Sequence, residues 1–246
     1  MNLDLLEKAI SSKTRALLLC SPNNPTGSLY SENELEDIVN VLRRYPEIYV
    51  ISDEIYELIN FTGSYKSIGS FTGMEDRVVT VNGVSKAYAM TGYRLGYLGA
   101  PIWLAKAITK LQGQMTSGAT SIAQRAALEA LTGDQKPTAE MNRAYQRRRD
   151  LVIKHLSEIQ GIKYIIPGGA FYIFPDVSAF FGKSFNGQVI NNAEDLCMYL
   201  LEKALIATVP GEGFGSPDNI RISYASSDEN LNLAMSRLKK ALENLK

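Results

Sequence analysis

The chain has 246 residues, 45% of them hydrophobic and 21% charged, which is typical of a soluble globular protein with one large or two ordinary domains. Its 26 Lys and Arg residues equal its 26 Asp and Glu residues, and the lack of a basic excess argues against nucleic-acid and membrane partners. Two cysteines and one histidine predict neither a disulfide framework nor a metal site. No signal peptide or membrane-spanning run is visible, which favours a cytoplasmic location.

The first half of the chain alternates short apolar runs with helical patterns. Runs at residues 15–21 (RALLLCS), 48–52 (IYVIS) and 77–82 (RVVTVN) predict strands buried on both faces of a sheet. Helices between them imply right-handed crossovers, and therefore parallel strands. Residues 94–100 (RLGYLGA) follow the third run so closely that we expect an antiparallel neighbour. The pattern predicts an α/β domain built on a mostly parallel sheet.

Two capping-box patterns mark the starts of helices. Ser31 with Glu34 opens a helix that extends to about residue 45, and Ser226 with Glu229 opens the last helix of the chain. Further helical patterns cover the N-terminal residues 1–15, residues 101–131 with an interruption near Gly118, residues 137–160 and residues 194–205.

The last part of the chain has a different character. Short strand patterns at residues 163–166, 170–177, 206–210 and 220–224 accompany the helix at residues 194–205 and the last helix, as in a small α+β module. We place a domain boundary near residue 145. Residues 1–145 then form part of a large domain, and residues 146–246 form a smaller C-terminal domain.

Polar residues follow each of the three predicted parallel strands, in the segments NNPTG, DEIY and NGVSK. Open α/β sheets bind their ligands at the carboxyl ends of such strands. We therefore expect Asn24, Asp53, Tyr56 and Lys86 to line one pocket. Arg94 is expected close by, at the start of the next strand.

These segments, in this order, make the chain resemble the class I and II aminotransferases of fold type I. The matching stretches read SPNNPTG, DEIY, VSKAYAMTGYRLGY and NIRISYA, and bacterial aspartate aminotransferases are the most similar members. The resemblance implies the large domain of a fold type I transferase, with an incomplete sheet, and pyridoxal 5′-phosphate as cofactor. It also implies transfer of an α-amino group between aspartate, or a similar amino acid, and a 2-oxo acid such as 2-oxoglutarate. A homodimer is implied for the full-length enzyme.

The resemblance assigns a role to each of the polar residues that contact the cofactor. Lys86 forms the Schiff base and moves a proton between the substrate Cα and the cofactor C4′. Asp53 keeps the pyridine nitrogen protonated, although an Asp that only caps the next helix is the alternative. Tyr56 and Asn24 hydrogen-bond the phenolic oxygen, and for Tyr56 a packing role is the alternative.

Two arginines match anion-binding positions of the family. Arg94 matches the residue that binds the cofactor phosphate. Arg221, with Asn24, matches the clamp on the substrate α-carboxylate, and an internal salt bridge is the alternative for this arginine. Many relatives carry a hydroxyl three positions before the lysine, where this chain has Gly83. Phosphate binding is therefore expected to depend more on Arg94.

Family members carry a further segment ahead of the strand that begins near Leu17, with three strands, a phosphate loop and an aromatic residue that stacks on the cofactor. The chain is therefore expected to be a fragment, a truncated form or a split gene product, with little or no transaminase activity alone and with uncovered strand edges and apolar faces. Two other functions stay open. One is a carbon–sulfur lyase of the same fold, and the other is the aminotransferase-like effector domain of a transcription regulator.

Overall fold

A computed structural model describes all 246 residues, which form two compact units. The first unit comprises Met1–Pro22 and Leu29–Asn142, and the second comprises Asn23–Ser28 and Arg143–Lys246. The loop Asn23–Ser28 therefore packs with the C-terminal part of the chain, although it directly follows a strand of the first unit. The domain boundary near residue 145 stays a prediction.

The first unit is built on a four-stranded sheet in the order β1-β2-β3-β4. The strands are β1 (Ala16–Cys20), β2 (Tyr49–Asp53), β3 (Val78–Gly83) and β4 (Gly96–Gly99). β1, β2 and β3 are parallel, and β4 pairs with β3 in the antiparallel sense. The predicted α/β fold with a mostly parallel sheet is confirmed, as is the antiparallel neighbour.

The register of the sheet brings the strand ends to one edge. Cys20 lies opposite Asp53, and Asp53 lies opposite Val81, so the three parallel strands end side by side. Gly83 pairs with Gly96, which places the start of β4 at the same edge. Segments that leave β2 and β3, and the segment that enters β4, therefore meet there.

Four α-helices lie wholly within the first unit, and α2 contributes four residues to its hydrophobic core. They are α1 (Leu3–Ala9), α2 (Glu32–Arg43), α3 (Ile102–Met115) and α4 (Ser121–Thr132). The apolar face of α2 follows helical spacing and buries Leu35, Ile38, Val39 and Leu42 in the core. Each such side chain contributes about 1.5–3 kcal/mol through removal of apolar surface from water.

The predicted capping box at the start of α2 is present. The Ser31 hydroxyl accepts a hydrogen bond from the Glu34 amide, and the Glu34 carboxylate accepts one from the Ser31 amide at 2.9 Å. These bonds from Ser31 lower the pKa of the Glu34 carboxyl. Such a cap typically stabilises a helix by about 1 kcal/mol.

One face of the sheet in the first unit is poorly covered. Leu19 of β1 is buried, but Leu18, which points to the other face, is 71% exposed. The prediction that β1 is buried on both faces is therefore wrong, and it is wrong for β2 as well, where Ile51 is 37% exposed. A continuous apolar run does not reveal whether both faces of a strand are covered. Helix α3 buries none of its residues, and Trp103 is 57% exposed.

The second unit contains a small antiparallel sheet and the helices that cover it. Its strands β5 (Tyr172–Ile173), β8 (Val209–Pro210) and β9 (Ile220–Ser223) lie in the order β5-β9-β8. The other elements are a hairpin of β6 (Ser184–Phe185) and β7 (Gln188–Val189), helix α6 (Ala193–Tyr199), a π-helical turn (Leu200–Ala204) and helix α7 (Asp228–Glu243). The long helix α5 (Lys136–Ser157) bridges the sequence boundary of the units. None of the helices combines the length and apolar character needed to cross a bilayer.

Two predictions in the second unit are wrong. The strand expected at residues 163–166 is absent, and Lys163 forms only an isolated bridge with Asp176. The last helix is capped by Ser227, whose hydroxyl accepts from the Asn230 amide, and not by Ser226. Adjacent serines carry the same hydroxyl, so the sequence pattern cannot decide between them, whereas the extended backbone of Ser227 directs its side chain to the helix start.

Candidate active site

Asp53 is the last residue of β2, so its carboxylate lies at the sheet edge where the strand ends meet. Its Oδ1 accepts a hydrogen bond from the Ile55 amide at 3.2 Å. This short-range bond is an Asx turn, which holds the side chain close to its own backbone. The structure therefore fixes a half-buried carboxylate at the end of the strand.

Lys86 and Tyr56 are brought together at the same edge. Lys86 follows the end of β3, and its Nζ lies 6.0 Å from the centroid of the Tyr56 ring. The Tyr56 ring is buried, at 3% exposure, while Lys86 is half-buried. A buried ring beside the amine limits the positions that the lysine side chain can take.

Gly83, the last residue of β3, has close neighbours. A Cβ at this position would lie 3.1 Å from the Gly96 Cα and 3.2 Å from the Ile55 Cδ1. The close approach of β4 therefore leaves little room for a side chain at the position where many relatives are expected to carry a hydroxyl. A side chain here would contact the backbone of Leu95 and Gly96, and close-packed backbone atoms cannot easily move.

Arg94 precedes β4 and so lies at the same edge of the sheet. Its backbone is left-handed, with φ 52° and ψ 46°, a conformation that costs a non-glycine residue about 1–2 kcal/mol. Its guanidinium donates to the Thr91 carbonyl at 2.9 Å, and the residue is exposed. Strained residues often occur at functional sites. The exposed guanidinium can accommodate an anion.

A hydrogen-bonded pair that the sequence analysis missed joins the segment after β2 to the end of β3. Asn82 Nδ2 donates to Glu57 Oε1 at 2.7 Å, and Asn82 Oδ1 accepts from the Gly83 amide at 2.7 Å. Burial raises the pKa of the Glu57 carboxyl, the bond from Asn82 opposes the rise, and the charge of Glu54 adds to it. Asn82 begins the NGVSK segment and Glu57 directly follows DEIY, but no sequence pattern indicates that the two side chains pair.

Glu54 is a buried carboxylate with several partners. It is 2% exposed, and its Oε1 accepts from the hydroxyls of Ser52 at 2.9 Å and Ser67 at 2.6 Å. Burial, and then the charge of Glu54, raise the pKa of Tyr65 well above its usual value. A buried charge is tolerated when such bonds satisfy it. Glu54 therefore supports the segment that follows Asp53.

The second unit brings Asn24 and Arg221 together. Arg221 Nη1 donates to Asn24 Oδ1 at 2.7 Å, although the residues are 197 positions apart. The guanidinium lies 4.6 Å from the Tyr172 ring centroid and 5.1 Å from that of Phe214. Cation–π contacts of this kind hold an arginine in place. No carboxylate lies within salt-bridge distance of Arg221, and its side chain donates to Asn24 instead.

The loop that carries Asn24 is held in the second unit by Gly27. This glycine has φ +68°, and a Cβ on it would lie 2.6 Å from the Pro167 Cβ and 2.7 Å from the Tyr172 carbonyl oxygen. Its carbonyl accepts from the amides of Gly168 and Gly169 at 2.9 and 3.0 Å. Both the left-handed backbone and the close packing require glycine. The loop is thereby anchored with Asn24 beside Arg221.

The predicted site residues thus form two groups, each described within its own unit. Asp53, Tyr56, Lys86 and Arg94 share one sheet edge in the first unit. Asn24 instead forms its bond with Arg221, and the expectation that it shares a pocket with the first group stays a prediction. The first group offers an amine, a phenol, a carboxylate and a guanidinium, which are the functional groups that pyridoxal phosphate requires.

Known proteins resemble the chain over nearly all of its length. The bifunctional aspartate aminotransferase and glutamate/aspartate-prephenate aminotransferase of Petunia hybrida is 48% identical over 98% of this chain and 52% of its own length. A probable aspartate/prephenate aminotransferase of Rhizobium leguminosarum bv. phaseoli is 45% identical over 96% of this chain and 60% of its own. The chain therefore spans about half to three fifths of the length of these relatives.

Solved structures give the same result. The aspartate aminotransferase of Rhizobium meliloti matches with a TM-score of 0.96 and 42% identity, covering 100% of this chain and 62% of that chain. The aromatic aminotransferase of Pyrococcus horikoshii OT3 matches with a TM-score of 0.90 and 38% identity, over 99% and 64% of the two chains. Residues 1–238 match the sequence profile of aminotransferase class I and II. Because this profile covers well over half of the chain, the protein belongs to the aminotransferase class I and II family.

Proposed function

We propose that the chain carries the lysine half of a pyridoxal-phosphate-dependent aminotransferase, which transfers an α-amino group between an amino acid and a 2-oxo acid. The observation that carries this proposal is the Lys86 amine beside the buried Tyr56 ring, at the sheet edge that also bears Asp53. An amine, a phenol and a carboxylate at neighbouring strand ends suit a ligand with an aldehyde, a phenolic oxygen and a pyridine nitrogen.

Each residue acts on a specific atom in the proposed reaction. Pyridoxal phosphate, when bound, supplies a protonated ring that accepts the electrons released at the substrate Cα. The Asp53 carboxylate would hold the proton on the pyridine nitrogen, and the Tyr56 hydroxyl and the Asn24 amide would donate to the phenolic oxygen. Lys86 would hold the cofactor through its amine and would serve as the acid and base that moves the proton at the substrate Cα. The Arg94 guanidinium would pair with the phosphate.

The amino acid is held through its α-carboxylate by Arg221 and Asn24. Arg221 is oriented by Asn24 and by the rings of Tyr172 and Phe214, so its guanidinium is positioned before an anion arrives. The names of the relatives support aspartate as the amino donor and prephenate as an acceptor to test. The resemblance to the family implies 2-oxoglutarate as the general acceptor.

The location and assembly that we propose follow from the resemblance. The full-length enzyme is a homodimer in the cytoplasm, and its reaction belongs to amino acid biosynthesis. Side chains such as Leu18 and Trp103 expose apolar surface in the first unit, so the chain is expected to associate with itself or with other polypeptide.

The test of the proposed function follows exchange of the substrate Cα proton, which is a more sensitive measurement than steady-state transamination. The chain is saturated with pyridoxal phosphate and incubated with aspartate in deuterated water, and loss of the Cα proton is followed by NMR. We expect slow exchange that disappears in Lys86→Ala and persists in Lys106→Ala, an exposed lysine of α3. Equal exchange in the chain and in Lys86→Ala would contradict the proposal.

A further inference from the structure

We propose that Glu57 is a positioning residue for Lys86, and that it acts through the side chain of Asn82. The inference rests on the proposed function, in which Lys86 carries the cofactor. It assigns a role to a carboxylate that does not belong to the set of cofactor contacts. Glu57 and Asn82 both lie in the first unit.

The geometry joins the two segments that carry the reactive groups. Glu57 directly follows Tyr56, and Asn82 lies near the end of β3, just ahead of the turn that leads to Lys86. Asn82 Nδ2 lies 2.7 Å from Glu57 Oε1, so one hydrogen bond ties the two segments to each other. This bond lies next to Tyr56 in one segment and just ahead of the Lys86 turn in the other. The separation between the Tyr56 ring and the Lys86 amine therefore depends on it.

The chemistry of the pair sets the orientation of the Asn82 amide. An ionised carboxylate only accepts hydrogen bonds, so Glu57 requires the NH₂ group of Asn82 on its side. The carbonyl oxygen of Asn82 must then face the Gly83 amide, where it accepts at 2.7 Å. Without Glu57, the amide of Asn82 can turn over, and the Gly83 amide would then face a donor. Glu57 thereby stabilises the first peptide unit of the lysine turn.

The surroundings of Glu57 support a directed role. Asn82 is 9% exposed, so its polar atoms depend on protein partners. Burial, and then the charge of Glu57, raise the pKa of both the Tyr88 and the Tyr97 hydroxyls. Tyr97 lies opposite Asn82 in the β3–β4 register. The Glu57 carboxylate is itself half-buried, and partial removal from water strengthens its hydrogen bond to Asn82.

The test measures how fast pyridoxal phosphate is fixed to Lys86 by borohydride, with the labelled peptide quantified by mass spectrometry. Glu57→Ala removes the acceptor. Glu57→Gln retains the shape of the side chain, but its amide can donate as well as accept, so it no longer dictates the orientation of Asn82. Asn82→Asp removes the donor. The double variant Glu57→Gln/Asn82→Asp rebuilds the bond with donor and acceptor exchanged, and it leaves an oxygen for the Gly83 amide.

We expect each single variant to slow the labelling of Lys86 about tenfold, and the double variant to recover most of the loss. Hydrogen exchange of the Gly83 amide should be faster in Glu57→Ala than in the unaltered chain, because the Asn82 oxygen is then no longer held toward this amide, and the measurement needs no cofactor. Recovery in the double variant distinguishes positioning from general loss of stability. If Glu57→Ala is unfolded, Glu57→Gln provides the comparison.

Two negative outcomes are distinguishable. If the unaltered chain is labelled at Lys86 and the Glu57 variants are labelled equally fast, the positioning role is wrong and the proposed function stands. The same conclusion follows if the double variant is no faster than Asn82→Asp alone. If the unaltered chain carries no label on Lys86, the proposed function fails, and the role of Glu57 fails with it.

Discussion

The two candidate anion sites of the molecule hold their arginines in different ways. In the second unit, Arg221 is bonded to Asn24 and lies against the rings of Tyr172 and Phe214. In the first unit, Arg94 is exposed and donates to the carbonyl of Thr91, a local backbone partner. Side chains from distant parts of the sequence fix Arg221, whereas the direction of the Arg94 side chain is set by its own left-handed backbone. Preorganisation here comes from packing in one unit and from backbone conformation in the other.

The largest effect is expected from breaking the anchor of the Asn24 loop. Gly27→Ala introduces a Cβ within 2.6 Å of Pro167 at a φ of +68°, so both overpacking and a left-handed backbone oppose it. We expect the free energy of unfolding to fall by about 3–4 kcal/mol. Gly213→Ala is the matched control, because nothing lies within 4 Å of its added Cβ, and its effect should be within about 0.5 kcal/mol. Similar denaturant midpoints for both variants would contradict the role of the loop.

Removal of the packed arginine tests what its fixed position contributes. Arg221→Ala should weaken amino-acid binding by roughly 2–4 kcal/mol while the affinity for pyridoxal phosphate is unchanged. Titration calorimetry or NMR with aspartate measures the first quantity, and cofactor fluorescence measures the second. A variant that loses the cofactor but retains normal affinity for the amino acid would show that the residue has been assigned to the wrong ligand.

The strained arginine allows its charge and its backbone to be separated. Arg94→Ala removes the guanidinium and retains the left-handed strain, whereas Arg94→Gly removes both. Both variants should bind pyridoxal phosphate about equally weakly, because both lack the cation. The free energy of unfolding of Arg94→Gly should be about 1 kcal/mol higher than that of Arg94→Ala, since glycine adopts φ 52° without steric cost. Equal stability of the two variants would mean that the strain is relieved in some other way.

Much of the first unit could be predicted from the sequence. Its strands, the antiparallel neighbour and the capped helix α2 follow from apolar runs, from spacing and from Ser31 with Glu34. The placement of Asp53, Tyr56 and Lys86 at or after the ends of β2 and β3 follows from the rule that parallel strands end at one edge of a sheet. Local chemistry decides these features, so local patterns reveal them.

Features that depend on contacts between distant residues could not be predicted from such patterns. The bond between Arg221 and Asn24 spans 197 positions, and the loop of Gly27 packs outside the unit that contains its neighbours in sequence. The pairing of Glu57 with Asn82 depends on which orientation a buried amide takes. Strands of two residues, as in much of the second unit, are too short to show an alternating pattern.

The central claim, that Lys86 carries the cofactor, is tested most directly by reducing the chain with borohydride in the presence of pyridoxal phosphate and mapping the labelled peptide. We predict that the label lies on the peptide containing Lys86, that Lys86→Ala removes it, and that Lys106→Ala does not. A label on another lysine, with Lys86→Ala labelled as fully as the unaltered chain, would contradict the account.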